Sequence, residues 1–264
     1  MKVIDPAERL LKSLGVTDPK EIDLEDIAFD QGAEVRYCNL HGCEADILGF
    51  RDTAIISVDR SRGHRRKRFS IAHELGHWHY HRGKKLQCRV EEYQPKHKQL
   101  AERKANGYAA SLLMPHYLIK PRARDHRKLT FNVIEQFAAE FDTSLSATAI
   151  RLVEADIWPC MLICHTRQGR KWFTQAPMFH DRWFPQSEMD AETTAFDVVF
   201  GQSVGDRLPQ IIGADAWFDR TEARQYEILE QSKKTGDGEA LIILTITDDR
   251  MIEEVPERSG FGRW

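Results

Sequence analysis

The chain has 264 residues, of which 41% are hydrophobic and 30% are charged; this length allows two modules, and the composition excludes a disordered protein. No apolar run approaches the ~20 residues that a bilayer span requires, and the amino terminus lacks the apolar core of a signal peptide, so a membrane protein is excluded. The net charge of −3 indicates no particular partner. The five cysteines, an odd number, do not suggest a disulfide framework, so we expect a cytoplasmic location.

The first quarter of the chain predicts two short helices followed by three strands. Amphipathic patterns place the helices at residues 7–14 and 24–31. Strand-like runs follow, at residues 34–37, 45–50 and 53–58. Arg51-Asp52 separates the last two runs and is suited to turn a hairpin between them.

A basic run then leads into the longest predicted helix, His64–His81, and a polar loop separates it from a second long helix at Gln99–Leu113. Residues 60–128 contain 19 Lys and Arg against 5 Asp and Glu, a local charge of +14. Residues 157–264 contain 12 against 18, a local charge of −6. This asymmetry is typical of a surface that faces a polyanion, or of two modules with different tasks.

Two further helices, at residues 131–141 and 144–154, are separated by Asp142-Thr143 and resemble a helix–turn–helix. The second carries one basic residue, Arg151, which favours a structural bundle over a DNA-reading helix. Beyond Trp158, short strand-like runs alternate with turn signals. These runs lie at residues 160–165, 171–174, 196–200 and 240–247. We therefore expect three regions, at residues 1–128, 129–157 and 158–264.

The sharpest motif is His73-Glu74-Leu75-Gly76-His77. On a helix the two histidines share a face about 6 Å apart along the axis, so their imidazoles can converge on one ion such as Zn²⁺. Glu74 is rotated by about 100° from His73, which suits a general base acting on water. The alternative interpretation is a histidine-rich surface helix.

A catalytic zinc site needs a third ligand and an open position for water. Glu102, on the second long helix, is the best candidate, although by position alone a solvated helix charge is the commoner interpretation. Asn106 lies one turn later on the same face, where it can hold a ligand histidine by its outer nitrogen.

Together these two segments resemble the ImmA/IrrE family of metallopeptidases. The resemblance rests on FSIAHELGH at residues 69–77 and on ExxANxxAAxLLMP at residues 102–115, and it extends over about residues 1–156. It implies an α+β fold, with a zincin-like core and a helical extension, in which Glu102 is the third ligand and Glu74 the catalytic base. Gly107-Tyr108 departs mildly from the family, which usually has a bulkier pair ending in Phe.

The resemblance implies a zinc-dependent endopeptidase that cleaves a helix–turn–helix repressor and so derepresses a stress, DNA-damage or phage-defence operon, with Mn²⁺ as the alternative metal. Some two-domain family members sense single-stranded DNA, which implies nucleic acid as an activator here. Residues 158–264 resemble the α+β GAF- or PAS-like sensor of longer members. The rival hypotheses are a DNA-binding regulator with a structural zinc site and a defence component that acts by protein contact alone.

Three cysteines and the basic run provide secondary hypotheses. Cys88, between the two ligand-bearing helices, is a candidate inhibitory zinc ligand that would displace water, with an ordinary loop thiol as the equal alternative. Cys160 and Cys164 are predicted to be buried thiols. The candidate nucleic-acid contacts are Arg62, Arg65, Arg66, Lys67 and Arg68, for which a solvated face is the equal alternative.

Overall fold

The structure is a computed structural model that describes residues 5–82, 86–87, 95–179, 181–201 and 208–252, with the backbone alone at 86–87 and 95–98. The chain divides into two compact units. The first comprises the described residues up to Asp125 together with Glu135–Arg151, and the second comprises His126–Ile134 and the described residues from Leu152 onward. The chain therefore passes between the units three times.

The first unit contains helices around a four-stranded sheet. Its helices are α1 (Pro6–Ser13), α2 (Leu24–Asp30), α3 (His64–His81), α4 (Pro95–Leu113) and α5 (His116–Ala123), and it shares α6 (Phe131–Glu140) and α7 (Leu145–Glu154) with the second unit. Its strands are β1 (Ala33–Cys38), β2 (Ala45–Phe50), β3 (Thr53–Asp59) and β4 (Leu86–Gln87). Among the helices of the described residues, none is long and apolar enough to cross a bilayer.

The sheet of the first unit has the strand order β1-β3-β2-β4. Strands β2 and β3 form an antiparallel hairpin in which Phe50 pairs with Thr53, and this confirms the predicted turn at Arg51-Asp52. Arg51 adopts a left-handed backbone conformation, with φ of 53°. Strand β1 joins β3 in parallel. This topology places the start of β2 beside α3, which contacts both β2 and β3.

Helix α7 is joined to α4 through a buried arginine. Arg151 is 8% exposed, and its Nε donates to the carbonyl of Met114, which directly follows the end of α4, at 2.9 Å. Its Nη2 donates to Ser111 Oγ at 3.1 Å. The carbonyls at a helix end lack intrahelical partners, so this guanidinium supplies donors to the end of the helix that carries Glu102.

The second unit is built on a five-stranded antiparallel sheet with the order β6-β5-β9-β8-β7. Its strands are β5 (Cys160–Thr166), β6 (Gly169–Gln175), β7 (Gln210–Gly213), β8 (Glu227–Gly236) and β9 (Glu239–Ile246), with helix α8 at Thr194–Val199. Successive residues of β5 are buried on both faces, and Cys160 and Cys164 are free and 0% and 2% exposed. The prediction of buried thiols is therefore confirmed.

The prediction of a strand at residues 196–200 is wrong, because helix α8 occupies this segment. Thr193 caps the helix by accepting a hydrogen bond from the Phe196 amide. The fully buried Glu230 carboxylate accepts a further bond from the Ala195 amide at 2.8 Å. These contacts satisfy amides of the first turn that no intrahelical carbonyl reaches, and they outweigh the β preference of Phe196, Val198 and Val199.

Candidate metal centre

Three side chains converge in the first unit: the two histidines of the motif and Glu102, the third ligand that the family resemblance implies. His73 Nε2 lies 3.1 Å from His77 Nε2. Glu102 approaches both rings, with Oε2 at 3.3 Å from His73 Nε2 and Oε1 at 3.5 Å from His77 Nε2. Because the donor atoms all lie within 4.8 Å of one another, they are close enough to coordinate one ion.

The close approach of α3 and α4 brings these side chains together. A Cβ placed on Gly76 would lie 2.9 Å from Ala105 Cα and 3.0 Å from the Ala105 carbonyl oxygen. Only the absence of a side chain at Gly76 therefore allows this distance between the helices. Ala105 and Ala109 are fully buried in the same region. Small residues thus set the separation between the helix that carries the histidines and the helix that carries Glu102.

Asn106 orients one of the two histidines. His73 Nδ1 donates to Asn106 Oδ1 at 2.9 Å. In the neutral ring this bond selects the tautomer whose Nε2, which faces Glu102 and His77, is the acceptor. The sequence predicted this contact from the one-turn spacing of Asn106 and Glu102. The bond fixes both the tautomer and the ring orientation that a metal ligand requires.

Glu74 lies against the cluster but does not join it. The residue is 6% exposed, and its buried Oε2 has no hydrogen-bond partner among the described residues. Burial, assisted by the carboxylates of Asp46 and Glu102, raises the pKa of Glu74 to about 8. A buried carboxylate with a perturbed pKa and a free oxygen is typical of an acid–base group.

The donor set fits a divalent ion. Burial and the neighbouring His73 imidazole lower the pKa of His77, so this ring is neutral near pH 7, the form that binds metals. Two imidazoles and one carboxylate match the three protein ligands of a catalytic zinc site. The unpartnered oxygen of Glu74 beside them is a further indication, because a buried polar atom without a partner is costly unless a ligand or water supplies one.

The cluster opens into a cleft of about 280 Å³. The lining residues are Glu44, Ala45, Arg66, Phe69, Ser70, His73, Glu74, Glu102 and Asn106. Helical spacing points to Phe69 and Ser70, because they precede His73 and Glu74 by one turn on the same face. Glu44 and Ala45 carry no such signal, since only the sheet topology brings the start of β2 to this place.

The basic run that extends into the start of α3 is extensively bonded within the first unit. Arg62 contacts Glu44 and Asp59 at 3.8 and 3.4 Å, and Arg65 and Arg68 contact Asp142 at 3.2 and 3.6 Å. Arg66 is bonded to Glu44, and Lys67 Nζ lies 5.5 Å from the centre of the Tyr37 ring. Cys88 lies outside the described residues.

Comparison with known proteins agrees with this geometry. Residues 28–153 match the family model of the M78 peptidases, described as an IrrE N-terminal-like domain. The chain carries an ImmA/IrrE-family metallopeptidase domain. The match contains β1, β2, β3 and the whole cluster of His73, His77 and Glu102, so the candidate metal centre lies within the family domain.

One solved structure similar to this ImmA/IrrE-domain chain is a Mycobacterium tuberculosis transcriptional regulator, with a TM-score of 0.60 and 15% sequence identity. The similarity covers 91% of this chain and 74% of that one, so it extends beyond the family domain into the second unit. At this identity it shows a shared fold alone. None of the curated proteins matches the sequence significantly.

Proposed function

We propose that the chain is a zinc-dependent endopeptidase that cleaves a helix–turn–helix transcriptional repressor and thereby derepresses a stress, DNA-damage or phage-defence operon. One observation carries the proposal: Glu74, a buried carboxylate whose Oε2 has no hydrogen-bond partner among the described residues, lines a cleft together with His73 and Glu102 of the cluster. Membership of the family supports a peptidase reaction, and the name of the similar solved structure supports a place in transcription control.

In the proposed site His73, His77 and Glu102 hold Zn²⁺, with Mn²⁺ as the alternative. When bound, the ion acidifies water and polarises the scissile carbonyl. Glu74 takes a proton from water and then delivers it to the leaving amine, so its carboxylate must be ionised at the start of the reaction. A cation bound beside Glu74 would lower its pKa from about 8 and so favour the ionised form. Asn106 holds the His73 ring in its ligand orientation through Nδ1.

The proposal includes regulation by the second unit and by the segment between α3 and α4. We propose a GAF- or PAS-like sensory role for the second unit, activation by single-stranded DNA through Arg62, Arg65, Arg66, Lys67 and Arg68, and a latent state in which Cys88 blocks the site. The four free cysteines of the described residues fit a reducing cytoplasm.

The decisive experiment is co-expression with a helix–turn–helix repressor taken from the genome that encodes this chain. Wild type should cleave that protein, whereas Glu74→Gln should lower the rate by about 10²–10⁴-fold and still bind zinc, because Glu74 is not a ligand. Single-stranded DNA should raise cleavage by wild type. Equal repressor loss with both enzymes would contradict the proposal and favour a DNA-binding regulator with a structural zinc site, or a partner that acts by contact alone.

A further inference from the structure

The cleft carries a charged pair that the proposed chemistry does not use. Arg66 and Glu44 line the cleft together with His73 and Glu74. The Arg66 guanidinium donates to the Glu44 carboxylate through Nε and Nη2, and it lies 5.5 Å from the centre of the Phe69 ring. Arg66 is thus held at the wall of the cleft by one carboxylate and one aromatic ring.

Arg66 is the accessible member of this group. Its side chain is 56% exposed, against 30% for Glu44. Its guanidinium has five N–H donors, so donors remain for a second carboxylate. Arg62 also contacts Glu44, at 3.8 Å. If Arg66 turned toward a substrate carboxylate, Glu44 would therefore keep a cationic partner.

The surrounding charge favours acidic ligands. The run from 60 to 68 contains six cations, Arg60, Arg62, Arg65, Arg66, Lys67 and Arg68. The ion pairs that the structure gives them reach three carboxylates, those of Glu44, Asp59 and Asp142. The run therefore has an excess of positive charge, and Arg66 is the member of the run that lines the cleft. A guanidinium in this place attracts Asp and Glu side chains and repels Lys and Arg.

Helix α3 fixes the distance from Arg66 to the candidate metal ligand His73. Arg66 precedes His73 by seven residues, which is about 10 Å along the axis of α3 and about three residues of extended peptide. We infer that Arg66 is a specificity-determining residue that selects substrate segments with Asp or Glu about three residues from the scissile bond. This inference rests on the proposed peptidase function and names its substrate class, an acidic peptide segment.

The test compares three zinc-loaded enzymes on a mixture of peptides from a digested proteome, with the cleaved bonds read by mass spectrometry. Wild type should enrich Asp and Glu by roughly two- to fivefold at two to four residues from the cleaved bond, the range that half-exposed ion pairs give. Arg66→Glu should reverse the preference toward Lys and Arg. Arg60→Glu makes the same charge change outside the cleft, where Arg60 donates to the Tyr37 carbonyl, and should keep the wild-type preference.

A binding measurement separates this inference from the peptidase proposal. Two fluorescent peptides that differ by Glu or Lys at the preferred position are titrated into Glu74→Gln enzyme with and without Arg66→Glu. Arg66-dependent preference for the Glu peptide without cleavage by wild type would support the subsite and contradict the peptidase. The subsite would be overturned if wild type cleaved peptides without a preference for Asp or Glu. Equal losses of that preference in Arg66→Glu and Arg60→Glu would overturn it too. The subsite would also be overturned if Arg66→Glu lost binding to single-stranded DNA but kept the wild-type peptide preference.

Discussion

The hydrogen bond from His73 to Asn106 is a single contact with a measurable consequence. Replacing Asn106 by Ala removes the acceptor at Nδ1, so the ring can adopt the other tautomer or rotate. Asn106→Ala should therefore weaken zinc binding by about 10–100-fold, as measured by competition with a chromophoric chelator.

Asn106→Asp is the matched control, because it keeps an acceptor oxygen in the same place. It should retain most of the wild-type affinity. Equal zinc affinity in Asn106→Ala and wild type would show that His73 is oriented without this bond.

The residues of the site differ in how far the sequence could predict them. The spacing of His73 and His77 dictates a shared helix face, so their pairing follows from the chain itself. Glu102 comes from another helix, and family resemblance was needed to choose it over a solvated charge. Glu44 and Ala45 depend on which strand lies beside α3, and no local pattern records that choice.

At the scale of elements, the packing of α3 on α4 depends on Gly76. Gly76→Ala should lower the free energy of unfolding by about 1–3 kcal/mol, because its Cβ meets backbone atoms of Ala105 that cannot move independently. It should also weaken zinc binding, since the shift of α4 moves Glu102. Urea denaturation and chelator competition measure the two effects.

Gly107→Ala is the control for this prediction. Among the described residues, a Cβ at Gly107 meets no atom within 4 Å, and alanine favours the helix by up to about 1 kcal/mol. Gly107→Ala should therefore be neutral or stabilising and keep full zinc affinity. If both variants had the same stability and zinc affinity, the contact at Gly76 would not set the helix separation.

The link between α7 and α4 depends on Arg151. Arg151→Ala should lower the free energy of unfolding by about 2–4 kcal/mol, because it removes donors from the buried Met114 carbonyl and the Ser111 hydroxyl. Arg36→Ala removes an exposed pair with Glu34 and should leave stability near the wild-type value. The denaturant midpoints of the two variants measure these changes in stability. If Arg151→Ala lowered the midpoint as little as Arg36→Ala, a structural role for Arg151 would be contradicted.

Elements with strong periodicity were predicted well, and those fixed by distant contacts were not. The observed α3 has the predicted bounds because a long helical pattern is unambiguous. Strand β8 was not predicted, since EILEQSKKTG lacks regular alternation and its pairing comes from β7 and β9. The sequence pattern does not predict helix α5, because Pro121 lies inside it and proline disfavours helix interiors.

At the scale of the whole molecule, metal binding should be linked to stability. An ion that binds the folded chain at 100 times its dissociation constant stabilises it by about 2.7 kcal/mol. Zinc should therefore raise the thermal unfolding midpoint, and a chelator should reverse the increase. The double variant His73→Ala/His77→Ala should show no shift, and an equal shift would place the stabilising ion elsewhere.

The interleaving of the two units limits how the protein can be dissected. Residues 126–134 belong to the second unit, although the chain on both sides of them belongs to the first. Removing residues 158–264 would leave the Phe131 amide without its acceptor, the Gln231 side chain. No single cut therefore yields two intact halves, and a protease nick at such a boundary would leave a clipped molecule rather than two separately soluble fragments.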